Sequence, residues 1–251
     1  MPYGVLASWT TNKVGRYEMN EKNAYEIIRF DTIPSTSDYA KQRRGEGKNL
    51  WITAKTQTGG RGTKGRSFSS SSGGLYATSL RFYENFPAKN AFQIMQHTAV
   101  AVCETLARFS IQAKIKWPND IFVNGKKICG ILTENTFAGN ALRCSCVGIG
   151  LNINNELEKE LLPIATTLKK TLKKTVDLEQ VESVLLEKFY GESLAGKYAS
   201  YLGWIGERVK LITPDGEKSA VVLGVNEIGE LIAEIAGETQ TFPSAEVSLR
   251  I

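Results

Sequence analysis

The sequence predicts an α+β fold: a mixed β-sheet flanked by helices, with a small β-barrel at the C-terminal end. Three observations carry the prediction. Apolar residues recur at helical spacing from Ala91 to Phe109 and again within 156–195. Before and between these stretches lie apolar, strand-like runs, two of them joined by Asn124-Gly125, a strong hairpin signal. From Arg208 onward come short strands separated by turns.

Residues 1–25 are polar and weakly patterned and read as a short N-terminal extension. Tyr25-Glu26-Ile27-Ile28-Arg29-Phe30 reads as a strand. Ser35 or Thr36 then caps a helix through about Arg44, with Tyr39 and Ala40 inward. Leu50-Trp51-Ile52-Thr53-Ala54 is the next strand and runs into Gln57 and a glycine-rich loop. The strand Leu75 to Phe82 leaves that loop. In the following helix Phe92, Met95, Ala99, Val102 and Leu106 form the apolar stripe, and His97 reads as a partly buried or surface histidine without a catalytic role. Asn124-Gly125 joins Ile121-Phe122-Val123 to a strand from Lys126 through Thr133. Arg143 to Ile149 is another strand, expected to end in a Gly148/Gly150 turn. Val181, Val184, Leu185, Phe189 and Leu194 share one helical stripe. Composition shifts near Tyr201, which divides the chain into 1–25, 26–200 and 201–251. Turns at Pro214-Asp215-Gly216, Asn226 to Gly229 and Ala236-Gly237 punctuate the last part, a barrel small enough to lean on the main domain.

At 251 residues, 42% hydrophobic and 23% charged, the composition is that of a soluble globular chain. The net charge of +5 suits an anionic substrate or an acidic partner and is too small and dispersed to argue for nucleic acid. No apolar run approaches the ~18–20 residues that span a membrane, and Met1-Pro2-Tyr3-Gly4-Val5-Leu6 does not open a secretory signal, so a cytoplasmic location is expected. The four cysteines lack metal spacing. Cys144 and Cys146 share a strand face and read as packing thiols, Cys103 as a buried helix residue and Cys129 as a small apolar strand residue. With one histidine and no H-E-x-x-H, no zinc site is expected.

Gly59-Gly60-Arg61-Gly62-Thr63-Lys64-Gly65-Arg66 puts four glycines and three cations in eight residues. Glycine lets backbone N–H groups approach a ligand, and Arg and Lys add a planar fork and a point charge. The loop can close over a phosphate or carboxylate; on composition alone a flexible basic surface loop fits equally well. Neither G-x-x-x-x-G-K-[ST] nor G-x-G-x-x-G is present, so neither a P-loop nor a Rossmann turn is expected.

Other segments stand in order around this loop: Ser35-Thr36-Ser37-Asp38, Gly73-Gly74-Leu75-Tyr76, Lys116-Trp117-Pro118-Asn119-Asp120, Lys126-Lys127-Ile128-Cys129-Gly130-Ile131-Leu132 and Gly148-Ile149-Gly150-Leu151-Asn152-Ile153-Asn154. Together they closely resemble the biotin protein ligases, also called biotin–[acetyl-CoA-carboxylase] ligases, over roughly Glu26 to Asn155. K-W-P-N-D followed by K-K-x-x-G-I-L is the most specific part. The resemblance implies a class II aminoacyl-tRNA-synthetase-like catalytic domain, shared by biotin and lipoate ligases, and an SH3-like C-terminal domain whose closing strand resembles Glu246-Val247-Ser248-Leu249-Arg250. It implies an enzyme that joins biotin to ATP as biotinyl-5′-AMP and passes it to one lysine of a biotin carboxyl carrier domain. Mg²⁺ is implied on the ATP, where it screens the triphosphate, and not through protein ligands.

The resemblance also implies roles. Arg61 clamps the biotin carboxylate or the phosphate that joins it, its fork suiting either anion. Lys127 contacts the carboxylate and α-phosphate; without the resemblance it reads as a solvated hairpin lysine. Asp120 orients the incoming lysine or takes its proton, because an ammonium cannot attack; a turn-capping Asp after Pro118 is the competing reading. Ser35, Thr36 and Ser37 open a helix and offer donors to the ureido ring and valerate chain of biotin, a role compatible with simple capping. Gln57 and Gly60 hold the ligand edge, Gly73, Gly74 and Tyr76 wall the biotin pocket, and Gly130 lets backbone approach the ring. On the ATP side stand Arg61, Thr63, Lys64, Arg66, Phe68, Lys127, Asn152 and Arg250, with Asn152 toward a phosphate or its magnesium and Phe68 as a cover. Lys116 has a less defined place, and Trp117 packs. Relatives often read G-R-G-R-x-G-R, and here Thr63 replaces the second Arg. Either Lys64 or Arg66 substitutes for it, or the adenylate is held less tightly.

A lipoate or octanoyl ligase on a related fold is disfavoured by K-W-P-N-D paired with G-R-G-x-x-G-R. A biotin-responsive repressor is disfavoured because about 25 residues before the first strand are too few for a three-helix DNA-binding unit. A non-catalytic biotin-binding module is disfavoured by Arg61, Lys127 and Asp120 together, and an SH3-like tail acting as an independent partner-binding domain has little support. No DNA and no membrane partner is expected. Strand edges leave a monomer or an edge-to-edge homodimer open.

Overall fold

The structure is a computed structural model that describes residues 11–17, 25–244 and 248–250, with side chains described for 25–244 and Leu249. Its larger sheet contains β1 (Thr11–Tyr17), β2 (Tyr25–Ile33), β3 (Leu50–Gln57), β4 (Leu75–Pro87), β5 (Lys114–Lys116), β6 (Asp120–Val123), β7 (Lys126–Ala138) and β8 (Ala141–Leu151). The strand order is β1-β2-β3-β4-β8-β7-β6-β5. β2 and β3 run parallel and their neighbours antiparallel, so the sheet is mixed, as predicted.

Side-chain alternation sorts the two faces. Ile27, Trp51, Ala77, Val147 and Ile149 share a core with helices α2 (Phe92–Arg108) and α4 (Leu178–Tyr190). Their sequence neighbours Ile28, Ile52, Cys146 and, two residues on, Cys144 pack instead with Tyr39 and Ala40 of α1 (Thr36–Gln42). The short helices α3 (Leu168–Leu172) and α5 (Tyr198–Tyr201) complete the layer. The Asn124-Gly125 hairpin forms with φ of 49° and 75°, the primed turn that matches strand twist. Glu182, buried on α4, accepts at Oε1 from Trp51 Nε1 at 3.0 Å and Arg29 Nη2 at 3.1 Å, so the carboxylate under the sheet has an indole donor and a cation beside it.

The C-terminal sheet has the order β12-β11-β10-β9-β13 and is antiparallel throughout: β9 (Arg208–Thr213), β10 (Gly216–Val225), β11 (Leu231–Ile235), β12 (Glu238–Phe242) and β13 (Ser248–Arg250). Its inward residues Val209, Leu211, Ala220, Val222, Leu231 and Ala233 belong to the same core cluster as α2. At the seam Trp117 Nε1 donates to Gly229 O at 2.9 Å, and a Cβ at Gly229 would overlap the Phe92 ring.

Three readings change. Residues 11–17, read as part of an extension, pair antiparallel with β2. Backbone pairing needs no apolar alternation, which is why the pattern was silent. Gly148 and Gly150 are not a turn; both lie inside β8, opposite Thr78 and Tyr76. β4 and β7 run on to Pro87 and Ala138, beyond the apolar runs that marked them. His97 is structural: Leu194 N–H donates to its Nδ1 at 3.0 Å, so Nε2 carries the proton and donates to Phe189 O at 2.7 Å. Burial pushes its pKa down, against the pull of the Phe189 carbonyl.

Candidate active site

The site begins with a change of residue size along one strand face. Going along β8 toward α1's N-terminus, Cys144 and Cys146 fill the space under α1, and Gly148 and Gly150 then leave it open. A Cβ at Gly148 would lie 2.8 Å from Ser37 Oγ. Gly130 of β7 pairs with Gly150, and a Cβ there would lie 3.1 Å from Lys127 Nζ. The result is a groove floored by glycine.

The 58–72 loop folds over this floor as a narrow hairpin. Gly59 N–H donates to Pro34 O at 2.8 Å, Phe68 N–H to Gly60 O at 2.9 Å and Gly62 N–H to Arg66 O at 2.7 Å. Gly60 must be glycine, because a Cβ would strike the Phe68 carbonyl. The Phe68 ring drops onto Gly150 and meets Tyr76 edge-on at 6.4 Å. Arg66 donates to Thr63 Oγ1 at 3.0 Å and Thr63 O at 3.2 Å, so the residue in place of the second Arg orients the last one.

One wall is the start of α1. Ser35 Oγ caps Asp38 N–H at 3.2 Å. Thr36 donates from N and Oγ1 to Gln57 Oε1 at 2.9 and 3.1 Å, and Gln57 Nε2 donates to Ser70 Oγ at 2.9 Å. Gln57 thus ties helix, strand and loop together. Thr36 and Ser37 also share Thr78 Oγ1, at 2.8 and 3.2 Å. Arg61 Nε donates to Asp38 Oδ2 at 2.6 Å.

The opposite wall is the β6–β7 hairpin. Lys127 Nζ lies 2.6 Å from Asp120 Oδ1, and the Lys127 ammonium sits 6.0 Å from the Phe68 ring centroid. Asn119 clamps the hairpin: its Nδ2 donates to Ile131 O at 2.6 Å and its carbonyl accepts from Ile131 N–H at 3.0 Å. Tyr198 OH donates to Pro118 O at 2.9 Å and holds the turn from below.

Of the residues singled out in the sequence, Thr36, Ser37, Gln57, Arg61, Thr63, Phe68, Asp120, Lys127 and Gly130 line one cleft, whose volume is about 40 Å³ with Phe68 seated. Thr63, Asn119 and Asp120 also open onto a second cavity of about 590 Å³, lined by Lys64, Arg66, Lys116 and, from the barrel, Ile212 and Leu249. Ser35, Gly60, Gly73, Gly74, Tyr76 and Asn152 line neither. Gly73 packs on Asn154 and Asn155, Tyr76 OH donates to Ser71 O at 2.6 Å, and Asn152 Oδ1 accepts from Asn155 at 3.1 Å: they brace the loops behind the cleft. The Arg250 side chain lies outside the described residues. The sequence reading missed Gly148, Gly150 and Asn119 as cleft residues, and Thr78 as the buried hydroxyl behind Thr36 and Ser37. The alternation C-S-C-V-G-I-G was the signal for the glycines, since glycines two apart in a strand bare one face.

Comparison with known proteins places this geometry. The model of the biotin/lipoate A/B protein ligase family matches residues 29–152, and that of the biotin protein ligase C terminal domain matches residues 204–250. The bifunctional ligase/repressor BirA of Bacillus subtilis is 31% identical over 245 residues, covering 92% of this chain and 75% of its own. The biotin–[acetyl-CoA-carboxylase] ligase of Paracoccus denitrificans is 27% identical, covering 86% and 97%. The structure of the Aquifex aeolicus biotin protein ligase in complex with biotin and ATP superimposes with a TM-score of 0.75 at 28% identity, covering 89% of this chain and 98% of that one. Two matched domains in the same order, and similarity that runs along most of the chain, show that it belongs to the biotin protein ligases of the biotin/lipoate A/B protein ligase family.

Proposed function

We propose that this chain is an ATP-dependent ligase that activates biotin as biotinyl-5′-AMP and transfers it to a lysine of a biotin carboxyl carrier protein. One observation carries the reading: a glycine-floored cleft gathers Arg61, Asp120 and Lys127 beside a larger cavity lined by Lys64, Arg66 and Lys116. In the first step a carboxylate oxygen attacks the α-phosphorus and pyrophosphate leaves. Two anions must meet, so cations are needed at their junction. Arg61 and Lys127 reach that junction from opposite walls, and the larger cavity has room and charge for the nucleotide. Thr63 supports Arg66 as the substitute for the missing arginine. Phe68 is the cover that keeps water from the anhydride.

In the second step the acceptor amine must lose a proton before it attacks the acyl carbon and AMP leaves. Asp120 is the base: it opens toward both cavities and is held by the Asn119 clamp. Its pairing with Lys127 keeps base and cation together until substrate separates them. Among the described residues no three His, Cys, Asp or Glu side chains gather as a metal site, and this reading assigns Mg²⁺ to the triphosphate.

Beyond Ile131, β7 pairs only with β8 among the described strands, and this edge suits a second copy or a carrier strand. No helix among the described residues is long and apolar enough to cross a membrane. Four buried free cysteines support a reducing compartment, the cytoplasm.

The test is biotin-dependent exchange of labelled pyrophosphate into ATP. Wild type should exchange with biotin and not with lipoate, and Lys127→Ala should lose about 100-fold or more, the weight of one transition-state contact. Full exchange by the mutant removes Lys127 from the chemistry. No exchange by wild type with biotin and Mg²⁺ overturns the function.

A further inference from the structure

Arg61 is 57% exposed at its side chain, yet it sits in one defined place at the rim of the cleft. Its Nε is bound to Asp38 Oδ2 at 2.6 Å. Among the described residues its two terminal nitrogens have no hydrogen-bond partner, and they are the pair that grips a carboxylate or phosphate in a bidentate fork. Asp38 is itself fixed from two sides. Its backbone N–H is capped by Ser35 Oγ at 3.2 Å, and its Oδ1 lies 3.0 Å from Lys41 Nζ. Lys41 in turn donates to Glu134 Oε1 of β7 at 2.9 Å. A chain of alternating charge therefore runs from the loop (Arg61) through α1 (Asp38, Lys41) to the sheet (Glu134).

We propose that Asp38 is the positioning residue for Arg61: by occupying Nε it aims the free edge of the guanidinium into the cleft, and Lys41 and Glu134 anchor it to the sheet. This rests on the ligase reading of the same cleft. A long side chain on a glycine loop otherwise samples many rotamers, and each would have to be frozen when the anion arrives. The pinned arginine enters the encounter already oriented. The acid stays charged there: burial raises the Asp38 pKa, but hydrogen bonds from Arg61 and Lys41 outweigh it and hold it below the usual value. The opposite role, a latch that competes with the ligand for Arg61, makes the opposite prediction.

The experiment is biotin binding by isothermal titration calorimetry with the full chain, for wild type, Asp38→Asn, Arg61→Ala and the double variant, with a thermal melt of each. Asp38→Asn keeps size and loses charge. It should weaken biotin about tenfold, the weight of one charge-assisted hydrogen bond. In the Arg61→Ala background the same change should do nothing further, because Asp38 acts through Arg61. A merely structural Asp38 would weaken binding equally in both backgrounds and overturns the proposal. Tighter binding by Asp38→Asn, the sign of a latch, also overturns it, as does unchanged affinity. Wild type that binds no biotin sinks the ligase reading and this inference together.

Discussion

Replacing Gly150 by alanine tests whether the bared strand face is the substrate floor. Gly150 lies in the interior of β8, opposite Tyr76 and Gly130, with a backbone that alanine adopts freely. The new methyl would stand 2.6 Å from Phe68 Cε1 and 2.7 Å from Cζ. Ordinary carbon contacts are about 3.5–4.0 Å, so the ring must retreat by about 1 Å. The ring is the free end of a side chain on a loop, so it can move, and the fold is spared. Alanine in place of a strand glycine even stabilises by about 0.5–1 kcal/mol. The cost falls on the cleft, whose floor is now raised and whose cover no longer seats. Overpacking a fitted site costs about 1–3 kcal/mol, which converts to about 5- to 150-fold weaker biotin binding. Calorimetric titration with biotin beside a thermal melt reads both quantities. Biotin affinity equal to that of the wild type, with the melt unchanged, would refute the assignment of this face as the floor.

Gly229→Ala should act on stability instead. Its φ is 86° and its Cβ would overlap Phe92, so strain and overpacking add to about 3 kcal/mol or more, read as a lower urea midpoint. An unchanged midpoint would mean that the barrel is not packed on α2 as described. His97 predicts a pH dependence. Burial holds its folded pKa below the ordinary imidazole value of 6.5, so the neutral form stabilises the fold. Its contribution is present above 6.5 and declines as pH falls through that value toward the folded pKa, because protonated Nδ1 cannot accept from Leu194 N–H. Denaturant midpoints at a series of pH values should show this decline in wild type and less of it in His97→Ala; identical slopes in the two proteins would dismiss the tautomer argument.

How much was legible in advance follows from the range of the forces. Strand and helix identity, the primed hairpin at Asn124-Gly125 and the cap at Ser35 are decided within a few residues, so periodicity and capping chemistry reveal them. The segments flanking the cleft were marked by family resemblance, because their chemistry demands particular residue types at particular places. That Arg61, Asp120 and Lys127 line one cleft is decided by a sheet order that puts β7 beside β8 and by a loop folded back across both. The same long-range placement turns Tyr76 OH to Ser71 O, packs Gly73 on Asn154 and Asn155 and pairs Asn152 with Asn155, since a side chain's contacts depend on what stands opposite it. Gly148 and Gly150 show the boundary most clearly. Their spacing is written in the chain, but whether two glycines turn a strand or bare its face is settled only by the strands paired on either side. Sequence by itself determined the fold class, most of the elements and the chemical vocabulary of the site. Tertiary structure decided which groups meet, because meeting depends on pairings between residues far apart in the chain that no local pattern records.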